Sequence, residues 1–496
     1  MQQKIVLSLF IAGLLTLSSC SKNFLTRNPY NGLPLATAIQ SESDLLVANT
    51  GMYSQLRNTD LYGRTLPVKG DLMADNIFVT TANSGRYISM NNYVFANTDA
   101  YASAVWQQAY IGIKYANIII NTQLAASDAN ISEYIGEAYA VRALMHFELV
   151  RNYGHPYTTS PGDPGVPIMT DTLYNPLDLP KRNTVKEVYT QVIADLEKAY
   201  SLCSVYRGTA YFSKYAARAL EARVYQNMGD WTDALSTALD VINNSGWILL
   251  PASSYASPSG TLGATVASAT YTPGGYWATP GAQSGSKNET FFEIESDLAN
   301  NNGFDQIGAI YLTLGGNYGD MLATDTLYSL YSATDARKAL CVRAPAGYRA
   351  GQAGNINLCY KYSNANNNGA KDATKIIRLA DVILIAAEAY YNAGDFTNAN
   401  KYLNMVAQQR DPAFAGWNDT GEQVLEDILT ERRKELAFEG SRFWDLVRLG
   451  RSFTKVGNQN PQTLVAVAPG NNALVFPIPV TEETANPNIT QNPGYN

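Results

Sequence analysis

Tyr225-Gln-Asn-Met-Gly-Asp-Trp-Thr-Asp-Ala234 and Tyr390-Tyr-Asn-Ala-Gly-Asp-Phe-Thr-Asn-Ala399 are one pattern written twice, 165 positions apart. Tyr, Asn, Gly, Asp, an aromatic, Thr and Ala stand at matching places. Each copy lies between two amphipathic runs, 213–228 with 231–244 and 378–393 with 396–410. Alanines let paired helices approach closely, and a glycine ends the first helix without a Cβ clash. Small residues, a Gly-Asp turn and an aromatic-led second helix form the tetratricopeptide pattern. The fold class that follows is mainly α: a tetratricopeptide-like helix-pair scaffold carrying a loop-rich, partly β insertion region.

Working outward, Glu133–Tyr153 ends in Asn152-Tyr153-Gly154 with the same look. Its partner, Val185–Leu202, follows a Pro/Gly-rich loop over His155–Arg182. A fourth unit starts with 424–449. Two earlier helices are expected at Glu42–Leu56 and Tyr101–Leu124, the second from Ile111, Tyr115, Ile118 and Ile119 at helical spacing. Lys69–Asn97 reads as irregular with short strands. Pro251–Gly319, dense in Gly, Ser, Thr, Asn and Tyr, reads as a loop-built insertion, the kind of segment that carries binding residues on a rigid scaffold. The expected organisation is a signal segment at 1–19 and a single domain over 20–496. Within it the helical scaffold occupies about 100–250 and 375–450. An N-terminal loop region covers 60–99, the insertion 251–374 and an extended, Pro-rich tail 456–496.

The N-terminus bears on location. Lys4 precedes the apolar run Ile5–Leu17, and Leu17-Ser18-Ser19-Cys20 follows. Thirteen helical residues rise about 20 Å, too little for a ~30 Å hydrocarbon core, so the stretch reads as a secretion signal. Small residues before a cysteine suit a lipoprotein signal peptidase, which makes Cys20 the expected lipidated first residue of the mature chain, tethered to a membrane surface.

Loss of residues 1–19 leaves 35 basic residues against 43 acidic ones. That mild acidity argues against nucleic acid as a partner, because phosphate binding needs a basic face. Tyrosine is abundant, 33 against 15 Phe and 6 Trp, and suits surfaces that are partly apolar and partly wet. Cys341 and Cys359 close a short loop and are the disulfide candidates, while Cys203 reads as a buried thiol.

Catalytic motifs are absent. The two histidines are His146, inside a helix, and His155, before Pro156. No G-x-S-x-G, H-E-x-x-H or paired C-x-x-C occurs, so serine-hydrolase and zinc readings have no anchor. Asn364, Asn366, Asn368 and Gly369 resemble the start of a calcium loop, but Lys375 stands where a bidentate Glu is required. No metal site and no cofactor are expected, and a structural calcium is left open. A carboxylate pair for glycoside hydrolysis is not marked out.

Glu431-Arg-Arg-Lys-Glu-Leu-Ala-Phe-Glu-Gly-Ser-Arg-Phe-Trp-Asp-Leu-Val-Arg448 is the most charge-dense stretch. Helical spacing puts Glu431 near Lys434 and Arg442 near Asp445, an ion network beside an aromatic stripe. This segment resembles the C-terminal signature helix of the SusD/RagB family of outer-membrane nutrient-binding lipoproteins. Phe476-Pro-Ile-Pro479, Asn486-Pro487 and Gln491-Asn-Pro-Gly-Tyr495 are similar to that family's ending. Cys20 with Phe24, Leu25 and Pro29 is similar to its mature start. Asp75-Asn76, Arg142-Ala143-Leu144, Asn152-Tyr153-Gly154 and Gly165-Val166-Pro167 are similar to its N-terminal half.

The resemblance implies a cell-surface lipoprotein of the outer membrane that binds oligosaccharides or polysaccharides without catalysis. It also implies a partner, a SusC-like TonB-dependent channel. A peptide-binding member of the family is the alternative, and a glycoside hydrolase a more distant one. Sugars need a protruding aromatic face and bidentate polar groups. By elimination among the six tryptophans, Trp277, beside Tyr276 in the insertion, is the expected stacking platform. The competing reading is that Trp277 pins the insertion to the body. Asp75, Asn76, Arg86 and Tyr87 lie where the family places binding loops and complete the expected glycan contacts.

Overall fold

A computed structural model describes residues 38–495 apart from 126–127, 172–177, 279–287, 298, 314–316, 350–351, 353, 364–371 and 458–462. Cys20, with the signal segment, and the 364–369 asparagine run therefore lie outside the described residues.

The principal helices in chain order are α1 (Glu42–Leu56), α2 (Thr65–Leu72), α3 (Ala100–Ile120), α4 (Ala129–Tyr153), α5 (Val185–Leu202), α6 (Lys214–Met228) and α7 (Trp231–Asn244). After the insertion come α8 (Leu379–Asn392), α9 (Phe396–Arg410), α10 (Gln423–Glu435) and α11 (Arg442–Arg448). From α3 to α9 each helix packs on the next, and α7 meets α8 directly although 134 residues separate them. The two copies of the repeat therefore stack as neighbours, and everything between them is an excursion.

The repeated motif explains its own turn. Gly229 and Gly394 end α6 and α8 in the left-handed region, at φ 73° and 76°. Asp230 and Asp395 then cap α7 and α9 by accepting from the backbone N–H of Asp233 and Asn398, satisfying donors a helix start leaves free. Asn227 and Asn392 each donate to the carbonyl four residues back, both at 2.8 Å. Ala234 and Ala399 are fully buried at the helix contacts.

Short antiparallel sheets hold the irregular segments. β1 (Ile77–Val79), β3 (Met321–Ala323), β5 (Ile356–Cys359) and β4 (Cys341–Ala344) form one sheet in that order, β2 (Thr290–Ile294) pairs with β6 (Thr374–Arg378), and β7 (Phe453–Val456) pairs with β8 (Leu464–Val467). β1 joins the N-terminal loop region to the insertion, so the two irregular segments are built as one body.

Cys341 and Cys359 stand directly opposite in the β4–β5 register, as the short loop between them suggests. The expected disulfide is not formed. Both are free, buried thiols. Burial pushes the Cys341 thiol up to about 12 and Cys359 well above its ordinary value, which suppresses the thiolate that disulfide chemistry needs.

The expected fourth unit, 424–449, which contains the charge-dense stretch, is two helices with a break, α10 and α11. Phe438 and Gly440 are left-handed at φ 68° and 78°. A Cβ on Gly440 would lie 2.7 Å from the Pro67 Cα, and one on Gly70 would lie 1.9 Å from the Gly440 carbonyl oxygen. Backbone thus touches backbone where α2 crosses the break, and the Gly440 N–H donates to Asp71 at 2.7 Å.

Charges on α10 and the following turn tie distant segments together. Glu435 takes Arg337, Arg378 and Arg410, and Glu439 takes Lys361 and Arg378. Glu431 takes Arg337, and Lys434 takes Asp335 at 3.0 Å. Burial opposes charge on Glu435, but the three guanidinium groups outweigh it and hold its carboxyl well below the usual range. The Glu431–Lys434 neighbourhood is present at 3.6 Å. The expected Arg442–Asp445 pair is replaced. Asp445 pairs with Arg432 and Arg448, each at 2.9 Å, and Arg442 reaches away to Asp75. Asp445 keeps one i,i+3 partner within α11, Arg448, while Arg442 is drawn off by the distant Asp75.

Candidate functional site

Trp277 does not form an open platform. The ring is 3 % exposed and stands edge-on to Tyr276, Tyr255 and Tyr362, with centroids at 5.1, 5.9 and 6.4 Å. Lys361, Lys375 and Arg378 lie over it at 4.6, 4.9 and 5.4 Å. Tyr276 is 7 % exposed, and its hydroxyl pairs with that of Thr290 on β2. The pair roofs the buried ion network, where the attraction between a cation and an aromatic face is stronger for the exclusion of water. Trp277 therefore pins the insertion to the body.

Asp75 and Asn76 also face inward. Asp75 pairs with Arg442 at 2.8 Å and Arg433 at 3.3 Å, and Asn76 accepts from Arg433 and donates to Asp71. Burial would raise the Asp75 carboxyl, yet the Arg442 hydrogen bond and both positive charges hold it below its ordinary value. Tyr87 is fully buried, with its hydroxyl between Arg64 at 2.8 Å and Thr65 at 2.9 Å. Burial pushes that phenol up to about 12. Of the expected glycan contacts, only Arg86 remains at the surface.

Arg86 marks the place where the irregular segments meet. Its guanidinium lies 3.7 Å above the centre of the Tyr318 ring. It donates to Ser84 at 2.8 Å and lies 3.6 Å from Asp305. Asp305 is half exposed and is oriented by Arg64 at 2.7 Å. Phe304, its neighbour in sequence, is 58 % exposed. Tyr101, half-buried at the start of α3, stacks on Tyr87 at 4.4 Å. Its hydroxyl accepts from the Tyr87 N–H at 3.1 Å, holding Tyr87 at φ 60°.

The ledge is rigidly backed. Asp320 accepts from the Ser84 N–H at 2.8 Å and from its hydroxyl. Arg349 donates to the carbonyls of Ala82, Tyr318 and Gly319, clamping the 80–87 loop onto 317–319. The arrangement presents an exposed aromatic ring, a carboxylate and a guanidinium on a fixed floor. It can stack on a flat C–H face while bonding hydroxyls. Phe304, Asp305 and Tyr318 were not among the expected contacts, because residue type alone favours a loop tryptophan as a stacking face. The signal available was an aromatic-acid pair ending an Asn/Gly turn, Asn300-Asn-Asn-Gly-Phe-Asp305.

Catalytic alternatives find little here. His146 is fully buried, with Nδ1 against the Arg142 carbonyl at 3.1 Å and Nε2 accepting from Met169 at 3.2 Å. Burial drives it down to about 3, so the ring stays neutral. Among the described residues no helix is long and apolar enough to cross a membrane.

Comparison with known proteins covers both halves of the chain. Residues 276–495 match the SusD family, and residues 23–226 match a family described as starch-binding and associating with the outer membrane. SusD-like protein P2 of Formosa agariphila is 29 % identical over 98 % of this chain and 99 % of its own. A structure from Bacteroides vulgatus, named as a candidate sugar-binding protein, superposes with a TM-score of 0.78 at 27 % identity, over 93 % of this chain and all of that one. A SusD superfamily structure from Bacteroides thetaiotaomicron gives 0.78 at 26 % identity, over 92 % of this chain and all of its own. With both halves matched and the helix-pair scaffold shared along its length, the chain belongs to the SusD family.

Proposed function

We propose that this protein is a lipid-anchored receptor, attached through Cys20 to the outer membrane and facing outward. It captures oligosaccharides without cleaving them and passes them to a SusC-like TonB-dependent channel. The observation that carries this reading is the Arg86–Tyr318 stack, flanked by Asp305 and Phe304. Its chemistry fits a sugar ring, whose C–H face takes aromatic contact while its hydroxyls take bidentate polar groups. The starch-binding description of the family matching residues 23–226 and the candidate sugar-binding relative point the same way. A shallow preformed ledge binds modestly, and retention rises when a channel partner closes over the same ligand.

Calorimetry of the purified protein against a panel of oligosaccharides tests the reading. The expected result is binding of at least one glycan class, weakened by Arg86→Ala and Tyr318→Ala, with no new reducing ends. Binding of peptides in place of every glycan, or appearance of cleaved product, overturns it. Co-purification of the channel with the acylated chain, and a diacyl or triacyl mass on Cys20, test the remaining parts.

A further inference from the structure

Lys455, on β7, is a buried amine that no carboxylate answers. It is 1 % exposed. Its Nζ donates to the Asn91 carbonyl at 2.6 Å and lies 5.3 Å from the centre of the Tyr93 ring. The chain carries no acid between Asp445 and Glu482, so the β7–β8 hairpin brings none. The elements packed on it bring none either. β8 sets Val465 opposite Lys455, β1 is Ile-Phe-Val, and the 88–93 turn is Ile-Ser-Met-Asn-Asn-Tyr. The titratable group these elements offer is Tyr93. Its hydroxyl donates to the Met73 carbonyl, and burial, with Asp75 nearby, pushes the phenol well up, so it stays neutral. Asp75 itself is taken by Arg433 and Arg442. Among the described residues, Lys455 has no ion-pair partner.

The amine nevertheless holds a junction. Asn91 is 1 % exposed, and three segments meet on it. Its carbonyl takes Lys455 from β7, its Oδ1 accepts the Val79 N–H of β1 at 3.2 Å, and its own N–H donates to the Tyr87 carbonyl at 2.9 Å. The 88–93 turn thus runs straight back to Tyr87 and Arg86. A neutral amine suits this arrangement, giving one hydrogen bond and lying dry against an aromatic ring. A charged one does not, because a cation withdrawn from water without a countercharge is costly. The ring face and one carbonyl offset only part of that cost.

We propose that Lys455 is a proton-operated latch: uncharged, it pins β7 to the 88–93 turn, and protonation frees the two elements from one another. The latch is independent of what the ledge binds. Burial, with no charge to offset it, pushes the Lys455 amine down to about 7. In the opened state the amine is hydrated and regains its ordinary value of about 10.4. Opening therefore takes up a proton between those two values. Rising pH closes the latch by up to about tenfold per unit above pH 7, and below it both states are charged and the slope fades.

Hydrogen exchange of the full chain, read by mass spectrometry from pH 6 to pH 9 and corrected for base catalysis of exchange itself, tests this. The expected opening constant over 88–94 and 453–456 falls about twofold from pH 6 to pH 7 and about fiftyfold from pH 7 to pH 9. Peptides over α7 serve as the reference and show no such slope. Lys455→Met abolishes the slope. Lys455→Gln, which keeps an uncharged donor for the Asn91 carbonyl, abolishes it while the turn stays closed at every pH. Where a variant does not fold, the contrast with α7 in the wild-type chain decides. The same slope in both variants, or a pH dependence over 88–94 no steeper than over α7, overturns the proposal.

Discussion

Asp75 and Arg442 form a two-point ion pair, at 2.8 and 3.1 Å, across 367 positions of sequence. The aspartate next to the N-terminal loop thereby holds the helix that carries the family signature. Asp75→Ala leaves Arg433 and Arg442 largely buried and short of a partner. The expected loss is about 3 kcal/mol in denaturant unfolding, with glycan affinity unchanged. A variant that unfolds like wild type while losing glycan would return Asp75 to the binding surface.

The same pair sets a pH dependence. The Asp75 carboxyl is held below its ordinary value in the folded state. Its stabilisation is complete above the unfolded-state value of about 3.9 and disappears as pH falls through the lower folded value. The stability gap between wild type and Asp75→Asn should be constant from pH 8 to about pH 5 and close below about pH 4. A gap that widens on acidification contradicts this assignment.

Tyr318→Ala removes the ring beneath Arg86. Loss of a stacked cation and of a contact surface should weaken glycan binding by about 1–3 kcal/mol. Melting should shift little, because Tyr318 is only half-buried. Equal affinities in calorimetry would remove the ledge from the binding surface.

Trp277→Ala should behave in the opposite way. Removing a buried indole beneath three cations costs about 3–5 kcal/mol through the cavity and the uncovered charges. Whatever fraction folds should bind glycan normally. Differential scanning calorimetry paired with binding separates the two roles.

Gly440→Ala demands a Cβ 2.7 Å from the Pro67 backbone at a φ of 78°. Neither residue can retreat, since α2 is buried along its length. The expected outcome is insoluble or unfolded protein, read by expression yield and far-UV circular dichroism. Gly347→Ala, at the same φ of 78° but with nothing within 4 Å of a Cβ, is the control that separates backbone strain from the clash.

Thiol titration without reductant checks the β4–β5 pair. Cys203, Cys341 and Cys359 should resist a thiol reagent in the native state and all react after denaturation. A count short by two thiols after denaturation would mean a bridge between Cys341 and Cys359.

Helices were readable because their causes are local. The Gly-Asp turns at 229–230 and 394–395, the Ser and Thr caps and the apolar spacing are written within a few residues of each element. α1, α5 and α7 fall where periodicity puts them. The break between α10 and α11 was not readable, because its cause is the backbone of α2, some 370 positions earlier. The proposed ledge was only partly legible. Its residues, Arg86, Asp305 and Tyr318, lie in the 60–99 and 251–374 segments, irregular chain on a rigid scaffold. Which aromatics stay in water is not written locally: Trp277 and Tyr276 are buried, whereas Phe304 is exposed and Tyr318 half-buried.

By itself, then, the sequence determined the helix-pair scaffold, its order, and the irregular excursions it carries, since turn chemistry and periodicity act over a few residues. Tertiary structure alone decided which side chains stayed in water. Exposure depends on what covers a residue, and the covers come from afar: Arg442 over Asp75, Arg64 over Tyr87, and Lys361, Lys375 and Arg378 over Trp277.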